Sequence, residues 1–459
     1  MNERWFAVVA AIALVALVAG AVAAAGGDGA GDGELDWAPE VPAVHAEAEP
    51  DGDGVAAVGD REFDTVQAAV DAAEPGDTVV LEGVFEEHVV VETPGVTIEA
   101  TEADAAVVDG GGEGTVVTVD AEDVTLEGVW IRDSGDERSE EDAGVLVNGT
   151  AATITDVRLT EINYGVWVDG VEDVTIEETI VAGRADSHSA TQIGNGVHLH
   201  DADGAELRDN YITTVRDGIY YSYADGVVAE DNVIWDVRYG VHYMYSSDNR
   251  LERNVAFDND VGFALMVSQN LTLVENVAVA NDGGSGHGIL VKDVEQSEVR
   301  ANAVVDNGNG LYVYNSHGNA VADNLVLEND VGAHVTAGSS GERFVGNSFM
   351  HNDQQAFADS SAHASWNDSD GGNYWSDDRA VDVDGDGTSE IRHQPAGAVE
   401  GLVNDRPQAA VFADSPAFDA VRLAESSFPV VESAGVVDHR PLAEPPHEDW
   451  RDYYEHHDH

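Results

Sequence analysis

The chain has 459 residues, with 89 aspartates and glutamates against 20 lysines and arginines, and its formal net charge is −69. Nucleic-acid binding is disfavoured because phosphate contacts require a basic surface, and the absence of cysteine excludes disulfides, thiolate nucleophiles and cysteine-based metal sites. The carboxylates are spread along the whole chain, and Lys292 is its one lysine. Such a composition is expected of a protein that works in multimolar salt, where the Debye length falls to about 3 Å. We therefore predict a halophile, with an unusually acidic secreted protein as the alternative.

The N-terminus carries an apolar run from residue 5 to residue 25, preceded by Arg4. Three alanines at its end resemble the cleavage site of an exported protein, and the run is also long enough to span a bilayer. Residues 1–25 are therefore predicted to be a cleaved signal peptide or a retained membrane anchor, and the protein is expected outside the cytoplasmic membrane. Residues 26–58, rich in Gly, Asp, Pro and Ala, are predicted to form a flexible acidic linker.

A short helix is predicted next, because Phe63, Val66 and Val70 recur at helical spacing. Asp64 is the expected N-cap, and the Pro-Gly pair at residues 75–76 is the expected stop. Such a helix would cover the open end of a repeat structure, as terminal repeats must. From residue 77 onwards, short Val-rich segments separated by Gly and Asp turns are typical of β-strands.

The centre of the chain repeats a Gly-apolar-x-apolar-x pattern, with glycine spacings of 22 residues and one of 26. Self-similarity at this period predicts an all-β solenoid of about 22-residue coils. An asparagine recurs in phase, as expected of tight turns and side-chain ladders. The repeat glycines are Gly196, Gly218, Gly240, Gly262, Gly288, Gly310 and Gly332, and the asparagines are Asn210, Asn232, Asn254, Asn276, Asn302, Asn324 and Asn347.

Side-chain alternation predicts which positions of each coil face the core. Residues one and three past each glycine are apolar and should point inwards. Residues two and four past it should point outwards, and they are rich in His, Met and Tyr. The stretch 183–195 is longer than the period allows, so a loop on one face is expected there.

The pattern changes near Trp366. We predict a β-helix domain at residues 59–395 and an irregular C-terminal cap or arm at residues 396–459. The arm should end in a disordered, His-rich tail from Pro445.

Several segments resemble the NosD family, exported accessory proteins of nitrous oxide reductase maturation. The most specific is Arg-Tyr-Gly-Val-His-Tyr-Met-Tyr-Ser at residues 238–246, since the Gly/Asn repeat alone is shared with pectinases and other β-helices. The resemblance covers roughly residues 60 to 446. It is also carried by residues 217–222 (DGIYYS), 262–266 (GFALM), 288–293 (GILVKD), 372–377 (GNYWSD), 382–387 (DVDGDG), 427–429 (SFP) and 438–442 (DHRPL).

The resemblance implies a right-handed parallel β-helix, and together with the acidity it suggests a haloarchaeal member. It also implies an ABC transporter partner, made of an ATPase and a permease, and a small copper chaperone lipoprotein. The implied role is assembly of the copper-sulfur centre of nitrous oxide reductase, so no catalytic residues are expected.

The outward column is the first candidate site, because thioether and imidazole ligands suit Cu(I). Adjacent coils place Met244 and Met266 on neighbouring rungs, whereas His198 and His200 lie two rungs from His242, so one ion could not easily take all five. The alternative is a face where Met fills gaps in packing or a partner surface rich in Tyr and Met. The copper candidates are His198, His200, His242, Met244 and Met266, and the partner-face candidates are Tyr220, Tyr245, Tyr312 and Tyr314.

The second candidate is a structural calcium loop. Asp382, Asp384 and Asp386 occupy positions 1, 3 and 5 before Gly387, and Glu390 is the substitute for the missing bidentate glutamate. The alternative is an ordinary acidic turn in an acidic protein.

A carbohydrate-active β-helix, either a polysaccharide lyase or a glycoside hydrolase, is the alternative function. It is suggested by Gly286-His287-Gly288, a triplet that polygalacturonases also use. Glycoside hydrolysis needs two carboxylates at a set separation, and no Arg-x-Lys follows the triplet here.

Overall fold

The computed structural model describes residues 39–44, 50, 52–184, 193–359, 361–378, 380–394, 415, 435–447 and 450–453. The predicted signal or anchor at residues 1–25, most of the inserted loop and most of the arm lie outside these residues. Internal contacts separate a first unit, residues 40–272, from a second unit that begins at residue 273. No helix in the described part of the chain is long and apolar enough to cross a membrane.

The first unit is a parallel β-solenoid in which each full coil contributes three short strands. The strands stack in three parallel columns, one of which carries the repeat glycines. The predicted all-β solenoid is therefore confirmed. Its elements are β1 (Val55–Val58), β2 (Arg61–Phe63), α1 (Val66–Ala72), β3 (Thr78–Glu86), β4 (Val89–Val91), β5 (Thr97–Ala100), β6 (Ala106–Asp109), β7 (Val117–Val119), β8 (Thr125–Glu127), β9 (Trp130–Arg132), a 3-10 helix (Arg138–Glu140), β10 (Ala143–Val147), β11 (Thr153–Thr155), β12 (Arg158–Ile162), β13 (Tyr164–Asp169), β14 (Thr175–Glu177), β15 (Ile180–Gly183), β16 (Val197–His200), β17 (Glu206–Arg208), β18 (Tyr211–Thr213), β19 (Asp217–Ser222), β20 (Val228–Glu230), β21 (Val233–Trp235), β22 (Tyr239–Met244), β23 (Arg250–Glu252), β24 (Val255–Phe257) and β25 (Val261–Met266).

The second unit has the same parallel three-column construction. Its elements are β26 (Thr272–Val274), β27 (Val277–Val279), β28 (His287–Lys292), β29 (Glu298–Arg300), β30 (Ala303–Val305), β31 (Asn309–Tyr314), β32 (Ala320–Ala322), β33 (Leu325–Leu327), β34 (Val331–Val335), β35 (Ser340–Val345), β36 (Ser348–Met350), β37 (Gln354–Ala358), β38 (His363–Ser365), β39 (Tyr374–Trp375) and a 3-10 helix (Trp450–Tyr453).

The inward columns form the core, as side-chain alternation predicts. In the first unit Val197, Ile219, Val241 and Phe263 stand in register, and all four are fully buried. The repeat glycines are needed for close approach of neighbouring coils. A Cβ on Gly218 would lie 2.5 Å from the carbonyl oxygen of the next repeat glycine, so any larger residue would push the coils apart.

The recurring asparagines form buried side-chain ladders. In the first unit the Nδ2 of Asn210 donates to Oδ1 of Asn232 at 2.8 Å, and Asn232 donates to Asn254 at the same distance. The left-handed backbone conformation falls one residue earlier, for example at Asp209 and Asp231. The ladder prediction is therefore confirmed, and the left-handed conformation belongs to the residue before the ladder asparagine at these positions. A second, unpredicted ladder in the second unit joins Asn281, Asn307, Asn329 and Asn352.

The predicted capping helix is present as α1, but two details differ. Its N-cap is Thr65 rather than Asp64, and the Thr65 Oγ1 accepts a hydrogen bond from the backbone N–H of Ala68 at 3.2 Å. The predicted linker also ends earlier than residue 58, because β1 occupies Val55–Val58 and pairs antiparallel with β2 and β3.

The C-terminal residues 435–447 return to the second unit, where Asp438 forms a β-bridge with His393. The ring nitrogens of His447 lie 2.8 Å from the Ser348 hydroxyl and 3.1 Å from the Asp323 carbonyl oxygen. The predicted disorder from Pro445 is therefore wrong for the described part of the tail. The last six residues, with His456, His457 and His459, lie outside the described residues.

Candidate functional site

The outward column of the first unit forms a stack of rings, which we call the aromatic ladder: Trp167, His198, Tyr220 and His242. These residues lie two positions past successive repeat glycines and pair in register across β13, β16, β19 and β22. Neighbouring ring centroids are 3.9, 4.8 and 4.8 Å apart. Trp167 and His242 are each only 7% exposed, so the column is largely covered rather than an open surface.

His242 is held by a carboxylate from the preceding coil. Its Nδ1 lies 3.0 Å from Oδ2 of Asp217, which is fully buried and also receives two hydrogen bonds from Arg238 at 2.8 and 2.6 Å. Burial raises the pKa of Asp217, but the hydrogen bonds from His242 and Arg238 outweigh it and hold that pKa below its usual value. The carboxylate therefore stays ionised and can only accept, so Nδ1 of His242 carries the proton.

The other ring nitrogen of His242 is left with a lone pair. Its Nε2 is buried and has no hydrogen-bond partner among the described residues. A histidine whose Nδ1–H is fixed by a carboxylate while Nε2 stays available has the arrangement that orients metal-ligating histidines. The contact with Asp217 therefore fixes the tautomer of this imidazole.

Two thioethers lie beside His242. Met244 follows it on the same face of β22, about 6.6 Å along the strand at the usual rise, and Met266 stands directly opposite Met244 on β25. Both methionines are half-buried. We call these three residues the His-Met-Met group.

The remaining two copper candidates lie elsewhere. His200 is two rungs from Met244, and the Nδ1 of its half-exposed ring pairs with Asp169 at 2.9 Å. His198 is two rungs from His242, with the Tyr220 ring between them. The structure thus places His242, Met244 and Met266 on the neighbouring strands β22 and β25, with His198 and His200 two rungs away, as expected from the repeat.

His198 is held by a different partner from His242. Burial, followed by the charges of His200 and Arg138, lowers the pKa of His198 to about 3, so the ring is neutral. Its Nδ1 lies 3.0 Å from Nδ2 of Asn195 and accepts a hydrogen bond from that amide. The proton is therefore on Nε2, and His198 presents an N–H group where His242 presents a lone pair.

The four tyrosines proposed as a partner face do not share one environment. Tyr245 is 49% exposed and stacks on Tyr223, a residue that the repeat pattern did not flag, at 5.1 Å. In the second unit Tyr314 is 43% exposed, with the Lys292 ammonium 6.0 Å from its ring. Tyr245 and Tyr314 are thus accessible to a partner. Tyr220 and Tyr312 are half-buried members of ring stacks, and their contact with a partner stays a prediction.

The second unit carries a ring stack of its own, made by His287, Tyr312, His334 and Phe357, with centroid distances of 4.5, 5.0 and 5.1 Å. Burial lowers the pKa of His287 to about 4. The histidine of the Gly-His-Gly triplet is thus a neutral ring packed against Tyr312. Tyr312 is one of the partner-face candidates, and the repeat pattern could also have indicated His334, because both lie two positions past a repeat glycine.

The predicted calcium loop is only partly assembled. Ligand oxygens of Asp382, Asp384 and Glu390 lie within 4.8 Å of one another, and all three residues are exposed. Asp386 does not join them, because its carboxylate accepts hydrogen bonds from Thr388 at 2.7 Å and from Arg440 at 3.2 Å. Asp386 thus lies outside the cluster formed by the other three residues, and calcium binding stays a prediction.

Comparisons with known proteins point to one family. The family model described as "Periplasmic copper-binding protein (NosD)" matches residues 178–380, which include the aromatic ladder from His198 onwards and the His-Met-Met group. The "Probable ABC transporter binding protein NosD" of Stutzerimonas stutzeri is 36% identical over 360 residues, covering 75% of this chain and 82% of that protein. The protein of the same description from Pseudomonas aeruginosa is 38% identical over 357 residues, with 74% and 82% coverage.

Among solved structures, the periplasmic alginate epimerase AlgG aligns with a TM-score of 0.44 and 11% identity, covering 72% of this chain and 98% of that one. A likeness this distant supports no conclusion about activity. The two sequence relatives are named as binding proteins rather than enzymes.

Proposed function

The chain belongs to the NosD family, and on that premise we propose that it is an exported, non-catalytic copper-binding protein that works with an ABC transporter. Its role would be assembly of the copper-sulfur centre of nitrous oxide reductase, with copper as cargo. We propose the transporter's ATPase and permease, a small copper chaperone lipoprotein and the reductase as its partners.

The proposal depends on the buried Asp217–His242 pair and its two neighbouring thioethers. The free Nε2 of His242 is a borderline-soft ligand, and the sulfurs of Met244 and Met266 are soft ligands, a combination that favours Cu(I) over hard cations. Carboxylates compete poorly for a soft ion, so the acidity of the chain does not oppose selective binding at this group. His198 is better explained by ring packing against Trp167, and His200 by pairing with Asp169.

The test is a competitive titration of the full chain against a Cu(I) chelator. Replacing Met244→Leu together with Met266→Leu removes both sulfurs while keeping side-chain volume, and we expect Cu(I) affinity to fall by about tenfold or more, since each lost ligand removes a soft donor. His242→Gln should have a comparable effect. His200→Gln is the matched control, because it removes an exposed imidazole outside the group and should leave the affinity unchanged.

Two further results would count against the proposal. Unchanged Cu(I) affinity in the double methionine variant would exclude the His-Met-Met group. Release of sugar from acidic polysaccharides by the purified protein would favour a carbohydrate-active enzyme instead. Genes for a reductase and an ABC transporter beside the gene for this chain would support the maturation role.

For the transporter partner, the accessible tyrosine pair of the first unit is the proposed contact. Tyr223 and Tyr245 are 55% and 49% exposed and stack with their rings nearly parallel. Exposed aromatic pairs of this kind are typical of the central contacts of protein interfaces.

A further inference from the structure

Arg238 holds the carboxylate that contacts His242, the proposed copper ligand. Its Nε and Nη2 donate to the two oxygens of Asp217, at 2.8 and 2.6 Å. The side chain of Asp217 is fully buried, whereas that of Arg238 is 31% exposed. Because a planar guanidinium that contacts both oxygens fixes the plane of a carboxylate as well as its position, Arg238 sets the orientation of Asp217.

The carboxylate passes this orientation on to His242. Oδ2 of Asp217 accepts from Arg238 and also lies 3.0 Å from Nδ1 of His242. Asp217 belongs to β19, whereas Arg238 immediately precedes β22 and His242 lies on it, so these contacts join two neighbouring coils. Since one oxygen serves both the guanidinium and the imidazole, a carboxylate that turned away from Arg238 would also leave Nδ1 of His242.

A second route from Arg238 to His242 passes through Tyr239. The guanidinium carbon of Arg238 lies 4.2 Å from the centroid of the Tyr239 ring, which is a cation–π contact. The Tyr239 ring meets the His242 ring edge-on at 4.9 Å, and the Tyr220 ring does so at 4.8 Å. Such T-shaped pairs are favourable and specific in geometry. The plane of the imidazole is therefore restricted by two rings while its Nδ1 is held by Asp217.

The repeat itself does not require these residues. One coil later, the positions equivalent to Asp217 and Arg238 hold Tyr239 and Asp260, yet the strands continue in the same parallel register. The arginine–carboxylate pair is thus not a general element of coil packing, unlike the repeat glycines. What distinguishes this coil is the buried Nε2 of His242, which has no hydrogen-bond partner among the described residues. A buried polar atom in that state is costly unless a ligand satisfies it.

We propose that Arg238 is a positioning residue for copper binding at His242, a role that rests on the proposed copper function. Through Asp217, Arg238 keeps the proton on Nδ1 and leaves the lone pair of Nε2 for the ion. Through Tyr239, it restricts the ring that carries this nitrogen. Partners behind a ligating histidine typically change metal affinity by about 10- to 100-fold when they are removed, and Arg238 forms a further layer behind Asp217.

The first measurement needs no copper. Long-range proton–nitrogen correlation spectra of the metal-free full chain at pH 8 report which ring nitrogen of His242 carries the proton, and His242→Gln assigns the signal by its loss. The wild type should show the proton on Nδ1. Arg238→Gln removes the charge and the two-point contact, so a tautomer protonated on Nε2 should appear at a comparable population. Tyr239→Leu should leave the tautomer unchanged, because the contact with Asp217 remains.

The second measurement is Cu(I) affinity in the chelator titration. Arg238→Gln should weaken binding by about tenfold or more, and Tyr239→Leu should weaken it severalfold. Arg238→Lys should fall between Arg238→Gln and the wild type, because it keeps the charge but loses the planar fork. Arg208→Gln is the matched control: its side chain is 36% exposed and pairs with Glu206 in the same unit, so neither the tautomer nor the affinity should change.

The proposal is overturned if Arg238→Gln keeps the wild-type tautomer of His242, or if Arg208→Gln changes the tautomer and the affinity to the same extent. An altered tautomer with unchanged Cu(I) affinity would overturn the role in copper binding and leave the copper function standing. Should Arg238→Gln fail to fold, Arg238→Lys takes its place, and wild-type behaviour of that variant in both measurements would overturn the proposal. Absence of Cu(I) binding by the wild type would overturn the copper function itself, and the tautomer spectra distinguish that result from a failure of Arg238 to position His242.

Discussion

A buried glutamate in the second unit should make the stability of the protein depend on pH. Glu342 is 1% exposed and occupies a ladder position where the preceding coil has Asn319. Its two carboxylate oxygens accept hydrogen bonds from the backbone N–H and the Nδ2 of Asn319 at 3.2 and 3.3 Å. Burial raises the pKa of Glu342 to about 7, and the two hydrogen bonds from Asn319 reduce that effect without cancelling it.

The magnitude follows from the difference between the folded and unfolded pKa values. Between pH 4.5, the ordinary pKa of a glutamate, and a pH of about 7, the Glu342 carboxyl of the folded protein holds a proton that it has lost in the unfolded chain. The free energy of unfolding therefore decreases as the pH rises through this window. At 1.36 kcal/mol per pKa unit, the loss attributable to Glu342 is about 3 kcal/mol once the pH is above 7.

Replacing Glu342→Gln removes the titration while keeping the size of the side chain and an oxygen that accepts from Asn319. We expect the variant and the wild type to have similar stability near pH 4.5, and the variant to be more stable by up to about 3 kcal/mol at pH 8. Because coils of a solenoid can unfold separately, the local measure is hydrogen exchange of amides in β32 and β35, alongside the thermal midpoint.

Glu298→Gln is the matched control, since Glu298 is exposed and lies near Arg300. The many other carboxylates titrate alike in wild type and variants, so the difference between them isolates one group. A difference between Glu342→Gln and wild type that does not change between pH 4.5 and 8 would refute the reasoning, as would an equal pH-dependent difference for Glu298→Gln.

Two further predictions concern groups held by carboxylates. Asp217→Asn should weaken Cu(I) binding by about 10- to 100-fold in the chelator titration, because the substitution releases the tautomer of His242; an affinity equal to the wild type would show that this partner does not orient the ligand. Burial lowers the pKa of His393, but hydrogen bonds and charges from Asp377 and Asp378 outweigh it and raise that pKa to about 9. The stabilisation that protonated His393 provides is fully present below pH 6.5 and is lost as the pH rises through about 9. His393→Gln should therefore lower the thermal midpoint more at pH 6 than at pH 10. An equal drop at both pH values would contradict this.

The register of the site could be predicted from the sequence because two periodicities coincide. Strand alternation places Val241 inwards and His242 outwards, and the 22-residue spacing places Met266 opposite Met244. Both placements follow from the backbone geometry of the coils. The repeat glycines allow neighbouring coils to lie in close contact, and this contact restricts that geometry. The parallel solenoid was predictable for the same reason.

The chemistry of the individual side chains could not be predicted in this way. Asp217 lies one position before its repeat glycine, where alternation gives no indication that it reaches the ring of His242 in the next coil. Likewise, nothing in the spacing distinguishes Asp386, which turns to Arg440, from Asp382, which stays in the acidic cluster. Such contacts depend on rotamers and on turns, and these do not follow the period of the repeat.

The aromatic ladder shows how one repeat position can serve two different chemistries. His198 and His242 occupy equivalent positions two coils apart, yet Asn195 donates to the first and Asp217 accepts from the second. An amide donor leaves an N–H at the far side of the ring, whereas a carboxylate acceptor leaves a lone pair. The group that contacts Nδ1, which is Asn195 of the same coil for His198 and Asp217 of the preceding coil for His242, thus decides which face the far nitrogen of each ring presents. Because Asp217 also pairs with Arg238, one buried carboxylate both neutralises a cation and fixes the tautomer of His242.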